Sequence, residues 1–170
     1  MASTIVRPFE DADLPGAAAA LVEVHATDGY PVEGVDQPER WLRSADVLAA
    51  WVAEVNGKIV GHISVMRPND EGAVSMWTEQ NGASKEQVAV LARLFVLAEA
   101  RGRSTGERLI RVATDYAHRQ GLRLVGDVMT KDEAAIRLYK RLGFRIIGTT
   151  MHTYGNGEQT SALCLVAPTP

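Results

Sequence analysis

The run VAVLARLFVLA, residues 88–98, limits this chain more than any other feature. It is apolar, rich in Val and Leu, and far shorter than a membrane-spanning helix needs, so it reads as a central strand buried on both faces. Arg93 interrupts it and must point to solvent, a partner or a cleft. A tight glycine-bearing turn follows, ARGRSTG at 100–106, and then an amphipathic helix in STGERLIRVATDYAHRQG. Leu109, Ala113, Tyr116 and Ala117 recur along one face of that helix, while Glu107, Arg111 and Asp115 share another. Gly121 suits its C-terminus, with His118 and Arg119 cationic in the last turn.

The flanking segments fit a sheet with helices packed on it. Residues 3–9 alternate as a first strand that Pro8 ends. Asp11 or Asp13 is placed to cap a helix over LPGAAAALVEVH. TDGYPVEGVDQPE reads as loop, and Pro38 opens a second helix. Two β-rich runs flank Asn56-Gly57, the pair that best accepts a type I′ turn, so residues 49–66 read as a hairpin. From Pro68 to about Gln87 the pattern fades and Trp77 stands alone, which predicts a long functional or mobile connection. LRLVGDVM is a further strand. Thr130 and Glu133 have capping-box spacing ahead of DEAAIRLYKRLGF, where Ala135, Leu138, Tyr139 and Leu142 make the apolar stripe. Gly143 and Phe144 suit a Schellman ending. FRIIGTTMHTY and TSALCLV close the chain as a hairpin. The order βα(α)ββ, βαβα, ββ predicts an α/β or α+β sheet in one piece.

A length of 170 residues predicts one domain, 1–170. The net charge of −3 gives no reason to expect nucleic acid as a partner. No stretch is apolar for long enough to span a membrane, and no signal-peptide core opens the chain. Cys164 is the sole cysteine and suits a reducing compartment as a small apolar side chain in a strand. A cytoplasmic protein is expected. The histidines are scattered and Cys164 lacks a companion, so no metal site is expected. GHIS is not a G-x-S-x-G elbow, and a serine hydrolase is unsupported.

The turn at 100–109 carries the chemistry. The first turn of a helix presents unpaired N–H groups and the positive end of the helix dipole, which together suit an anion. Arg101 and Arg103 would add charge-assisted bonds to phosphate, and Gly102 and Gly106 allow close backbone approach. Ser104 and Glu107 also stand at S-x-x-E spacing, so the same residues could be an ordinary capping box. G-x-G-x-x-G is absent, and no Gly-Lys-Ser/Thr follows to make a Walker A loop.

LFVLAEARGRSTGERLI, followed about thirty residues on by DEAAIRLYKRLGF, resembles the GCN5-related N-acetyltransferase (GNAT) family. That family pairs a strand, Arg/Gln-x-x-Gly-x-Gly/Ala and a helix with a later A-x-x-L-Y-x-x-x-G-F, met here by Ala135, Leu138, Tyr139, Gly143 and Phe144. The early VRPFEDADL and the Asn56-Gly57 hairpin also look like the family's opening. Two departures stand out. Ser104 occupies the family's first glycine, and Asp132 stands where members often carry Asn, so its carboxylate is expected to cap the helix rather than meet phosphate.

The resemblance implies a mixed, mostly antiparallel sheet flanked by helices, with a splayed strand pair that admits acetyl-CoA, and no metal. It implies main-chain contacts to pantetheine and thioester from Leu94, Phe95 and Val96, and to the pyrophosphate from Arg101, Gly102, Arg103, Ser104, Thr105, Gly106 and Glu107. Asp132, Ala135 and Leu138 fall on the cofactor side, and Tyr139 at the general-acid position that protonates the leaving sulfur. The implied reaction is direct acetyl transfer to a primary amine of a small molecule or peptide. No carboxylate lies on the strand 88–96 to serve as base; Glu99 beside the turn is carried as a candidate, with Glu79, Asp127, His152 or ordered water as alternatives. His25, Asp28, Gly29, Tyr30 and Trp77 could help form the acceptor wall. A homodimer is common in the family. A non-catalytic acyl-CoA-binding module and another phosphate binder are the competing readings.

Overall fold

The computed structural model describes residues 3–31, 34–102, 104–154 and 156–170. Two compact units share the chain: Met1–Val65 with Arg93–Ala113, and Met66–Ala92 with Thr114–Pro170.

In the first unit, β1 (Thr4–Pro8) pairs antiparallel with β2 (Val47–Val55), Thr4 facing Val55 and Pro8 facing Trp51. Helices α1 (Leu14–Asp28) and α2 (Pro38–Leu42) lie between them in sequence. Asn56 and Gly57 take φ of 50° and 81°, the left-handed pair a two-residue hairpin needs, and lead into β3 (Lys58–Met66). Leu21, Val52, Ile63, Leu97, Leu109 and Ile110 are all but fully buried and form the unit's core. The expected cap by Asp11 or Asp13 is not how α1 starts. Both Asp13 oxygens take Arg7 Nη groups at 2.7 Å, and Asp11 bonds Arg43 at 2.8 Å. A guanidinium binds a carboxylate in two-point fashion more strongly than a backbone N–H does, so the local cap is lost to a tertiary pair. Arg7 accordingly holds the Asp13 carboxyl below the ordinary carboxylate range.

β4 (Val88–Val96) runs from the second unit into the first, buried at Val88–Leu91 and Phe95 and half-buried at Ala92–Leu94 and Val96. In the second unit it pairs in parallel with β5 (Arg123–Met129) over Val88–Val90. β7 (Glu158–Val166) lies antiparallel to β5 on one side and to β6 (Arg145–Tyr154) on the other. The strand order is β1-β2-β3-β4-β5-β7-β6, a mixed sheet accompanied by helices. α4 (Thr105–Arg119) and α5 (Glu133–Arg141) match the amphipathic segments. No helix among the described residues is long and apolar enough to cross a membrane.

Two expectations need correction here. The stretch expected to be a long connection contains a helix, α3 (Gly72–Asn81), which buries Ala73 and Val74. It is held by close approach to β6: a Cβ on Gly72 would meet Thr150 at 2.8 Å, and one on Gly148 would meet Met76 Sδ at 2.5 Å. Its contacts are long-range, so local pattern does not reveal it. Thr130 does not form the capping box with Glu133. Its Oγ1 turns to the Ser161 carbonyl at 3.2 Å, and Asp132 caps α5 instead by accepting from Ala135 N–H at 3.2 Å. The far end of α5 is the Schellman motif read from the sequence: Gly143 has φ of 91°, Phe144 N–H donates to Tyr139 O at 3.0 Å, and Gly143 N–H to Lys140 O at 3.1 Å.

Candidate active site

Arg93, the one charged residue in β4, sits at φ of 58° in the middle of a strand. A left-handed turn there costs a side-chain-bearing residue roughly 1–2 kcal/mol, so its surroundings must enforce it. They do so on two sides. His62 on β3 reaches the Arg93 carbonyl with Nδ1 at 2.8 Å, and the Arg93 guanidinium donates to the Trp41 carbonyl at 2.6 Å while lying 4.7 Å over the Trp41 ring. A carbonyl accepts only, so His62 Nδ1 carries the hydrogen. His62 is fully buried, stacked on Phe95 with ring centres 5.3 Å apart, and its Nε2 has no bonding partner among the described residues. Burial pushes its pKa down to about 4, so the ring is neutral in ordinary buffers. GHIS is not a hydrolase motif, yet its histidine holds the kink. The signal was the pairing of a polar residue inside each of two apolar strands, His62 and Arg93.

After the kink come Leu94, Phe95 and Val96. Gly61 lies against this stretch: a Cβ there would stand 3.2 Å from the Phe95 carbonyl and 3.1 Å from Leu109. Leu97 N–H donates to the Val60 carbonyl at 2.8 Å, anchoring the strand's exit. Arg101 folds back so that Nε donates to Val96 O at 3.1 Å, and its guanidinium pairs with Asp28. Glu99 is half-exposed and bonds Lys58 Nζ at 2.6 Å. Arg103 lies outside the described residues.

The turn into α4 is unusual because Gly102 and Ser104 both have left-handed backbones, at φ of 77° and 61°. A Cβ on Gly102 would meet nothing within 4 Å, and Arg101, Gly102 and Ser104 are exposed. The nearby side chains spend their bonds elsewhere. Thr105 Oγ1 is buried on the Ala100 carbonyl at 3.2 Å, and Glu107 Oε1 accepts from Arg111 at 3.3 Å. An open, left-handed turn at a helix N-terminus fits a diphosphate, whose oxygens need several converging N–H donors and room for the group itself.

The second unit holds the remaining sequence candidates. Tyr139 is buried on α5, 5.1 Å ring to ring from Phe144, while Ala135 and Leu138 are half-buried beside it. Asp127 accepts from Ala73 N–H at 3.2 Å; it keeps an accessible face, yet desolvation where it meets α3 and Cys164 raises its pKa. Burial, with that carboxylate beside it, pushes the Cys164 thiol up to about 12, so the thiol stays protonated and inert. Trp77 is covered by the Arg123 guanidinium at 4.9 Å, His152 stacks on Tyr154, and Glu79 is exposed on α3. Of the loop residues, Tyr30 meets Trp41 edge to face at 6.1 Å, and Gly29 ends α1 by donating to the His25 carbonyl.

The model of the acetyltransferase (GNAT) family matches residues 18–144. The chain belongs to this family. An uncharacterized N-acetyltransferase of Methanocaldococcus jannaschii is 37% identical over 106 residues, a match covering 62% of this chain and 42% of that protein's length. Among solved structures, the ribosomal-protein-S18-alanine N-acetyltransferase of Escherichia coli superposes with a TM-score of 0.70 at 18% identity, covering 98% of this chain and 94% of that one. NAA60 of Arabidopsis thaliana, solved in complex with acetyl-CoA, gives 0.72 at 18% identity, covering 96% and 97%. At such identities the structural likeness establishes the fold. It agrees with the family assignment from the strand, turn and helix at 88–119.

Proposed function

We propose that residues 1–170 work as one domain that moves an acetyl group from acetyl-CoA to a primary amine of a small molecule or peptide by direct transfer. The open turn with left-handed Gly102 and Ser104 at the head of α4 carries this reading. Bound acetyl-CoA would supply an activated thioester. The chain's own groups would do the rest. Main-chain N–H groups from Gly102 to Glu107 hold the diphosphate, with Arg103 adding charge; the Arg101 N–H, expected to join them, is given to the Ala98 carbonyl at 3.2 Å. Leu94, Phe95 and Val96 bind the pantetheine arm by their main chain and donate to the thioester oxygen as negative charge grows on it. Among the described residues the ladder between β4 and β5 covers Val88–Val90, which supports a ligand meeting β4 further along. Asp132, Ala135 and Leu138 border the cofactor by their place in the motif, Asp132 acting as helix cap.

Tyr139 supplies the proton to the departing sulfur. Glu99 is the carboxylate the chain offers beside the turn as base, once Lys58 releases it. An aliphatic amine arrives protonated near neutral pH, so a proton acceptor of some kind is required. The lone buried thiol of Cys164 supports a reducing, cytoplasmic setting.

A thiol-release assay with acetyl-CoA and a panel of primary amines tests the reading. Tyr139→Phe is expected to lower kcat by roughly 10²–10⁴-fold while acetyl-CoA still binds. Unchanged turnover removes Tyr139 from the mechanism, and no thiol release with any amine removes the enzymatic reading.

A further inference from the structure

The acceptor side of the reaction is marked by a second feature, a cavity of about 650 Å³ in the first unit. Arg40, Trp41, Arg43 and Arg93 line it, with Asp36 and Ser44. It is an open depression, wide enough for a small organic molecule to rest against. Three arginines line it in a chain whose formal net charge is −3. Among the described residues, Asp36 on the wall and Asp11, bound to Arg43 at 2.8 Å, bring carboxylates to the same region. Arg40 is an exposed cation whose Nη1 bonds the Gln37 side-chain oxygen at 3.2 Å. Trp41 adds a flat apolar wall, already stacked by Arg93 on one side.

Arg93 ties this cavity to the chemistry. Its side chain lines the cavity, and the next residue, Leu94, begins the main-chain segment assigned to the thioester. Arg93 and Leu94 are adjacent in β4, so the arginine lining the cavity and the segment assigned to the thioester belong to one strand. The kink at φ of 58° is what turns an arginine out of an apolar strand into the cavity, and the buried His62 fixes the kink from behind. Strain maintained by two independent contacts is the mark of a positioned side chain rather than a tolerated accident.

We infer that this cavity selects an amine acceptor that also carries an oxyanion, a carboxylate above all, gripped by Arg40 and Arg93 against Trp41. The inference rests on the acetyltransferase reading and narrows its acceptor class. Polyamines and aminoglycosides, which bring several positive charges, would be disfavoured beside the exposed Arg40. A carboxylate beside the amine would gain charge-assisted, two-point hydrogen bonds.

The test uses the intact protein and matched pairs of acceptors: free α-amino acids against their carboxamides, with an aminoalkylphosphonate, a short peptide, spermidine and an aminoglycoside as further arms. Calorimetry with acetyl-CoA is run on the same preparations. The expected result is a preference of roughly tenfold or more in kcat/KM for each acid over its amide, expressed mainly in KM. Arg40→Gln should bring that ratio close to one and leave the heat of acetyl-CoA binding unchanged. Arg40→Lys should restore part of the preference. A peptide arm that matches the free amino acids points to a terminal or side-chain carboxylate on a polypeptide, and a silent one to a small molecule. Amides used as well as acids, or spermidine or the aminoglycoside preferred, overturn the inference while acetyl-CoA binding upholds the cofactor assignment. Acetyl-CoA heat with no acetyl transfer to any arm overturns both the enzymatic reading and this one. No heat at all removes the cofactor assignment itself.

Discussion

α4 and α5 begin in opposite ways. At α5, Asp132 turns its own carboxylate onto Ala135 N–H, so the helix start is filled by an anion built into the sequence. At α4, the residue in the corresponding place is Ser104, whose backbone is left-handed, and the nearby Thr105 and Glu107 side chains bond elsewhere. One helix start is closed in service of the fold. The other is left open, beside Arg101, as the proposed diphosphate site requires. The same unpaired N–H groups and the same dipole serve both purposes, and the difference lies in which anion satisfies them.

The contrast can be broken at several places. The largest effect is expected at His62, which holds the strand feeding the open turn. Its pKa is about 4 in the folded chain against 6.5 when unfolded, so the unfolded state binds the extra proton between those values. Stability is therefore full above pH 6.5 and falls as pH drops toward 4, by on the order of 3 kcal/mol. Denaturant titrations at pH 7 and pH 4.5 should show this slope, and His62→Gln should flatten it. An identical slope in the variant would assign the acid sensitivity elsewhere.

Next comes Ser104→Asp, which gives α4 the kind of start α5 has. A built-in carboxylate should compete with the diphosphate and weaken coenzyme A binding by roughly 10- to 150-fold. Affinity unchanged by that substitution would mean the turn does not hold the ligand. Asp132→Ala should cost about 1 kcal/mol of stability, and Asp132→Asn much less, because an amide oxygen still caps. The smallest effect belongs to Ser104→Gly. Glycine adopts φ of 61° freely, so the variant should gain up to about 1 kcal/mol and bind coenzyme A as before.

The contrast also separates what local sequence reveals from what it hides. Asn56-Gly57, the apolar stripe of α4 and the Gly143-Phe144 ending of α5 are determined by residues a few positions apart, and the chain folds as they predict. The turn at 100–106 could be placed in the same way, although its left-handed Ser104 could not. Long-range contacts overrode local signals elsewhere. Asp13 serves Arg7 rather than α1, Thr130 serves Ser161 rather than α5, and α3 exists because Gly72 and Gly148 let it approach β6. The roles of His62 and Arg93 were hidden for the same reason: they are 31 residues apart and meet only when β3 and β4 do.

An amide-detected NMR titration of the folded protein with coenzyme A tests the open helix start most directly. The account predicts that the N–H signals of Gly102 and of Ser104 through Glu107 move together and saturably as the diphosphate takes up their hydrogen bonds. Signals at these positions that stay in place while coenzyme A is raised to saturating levels would contradict it.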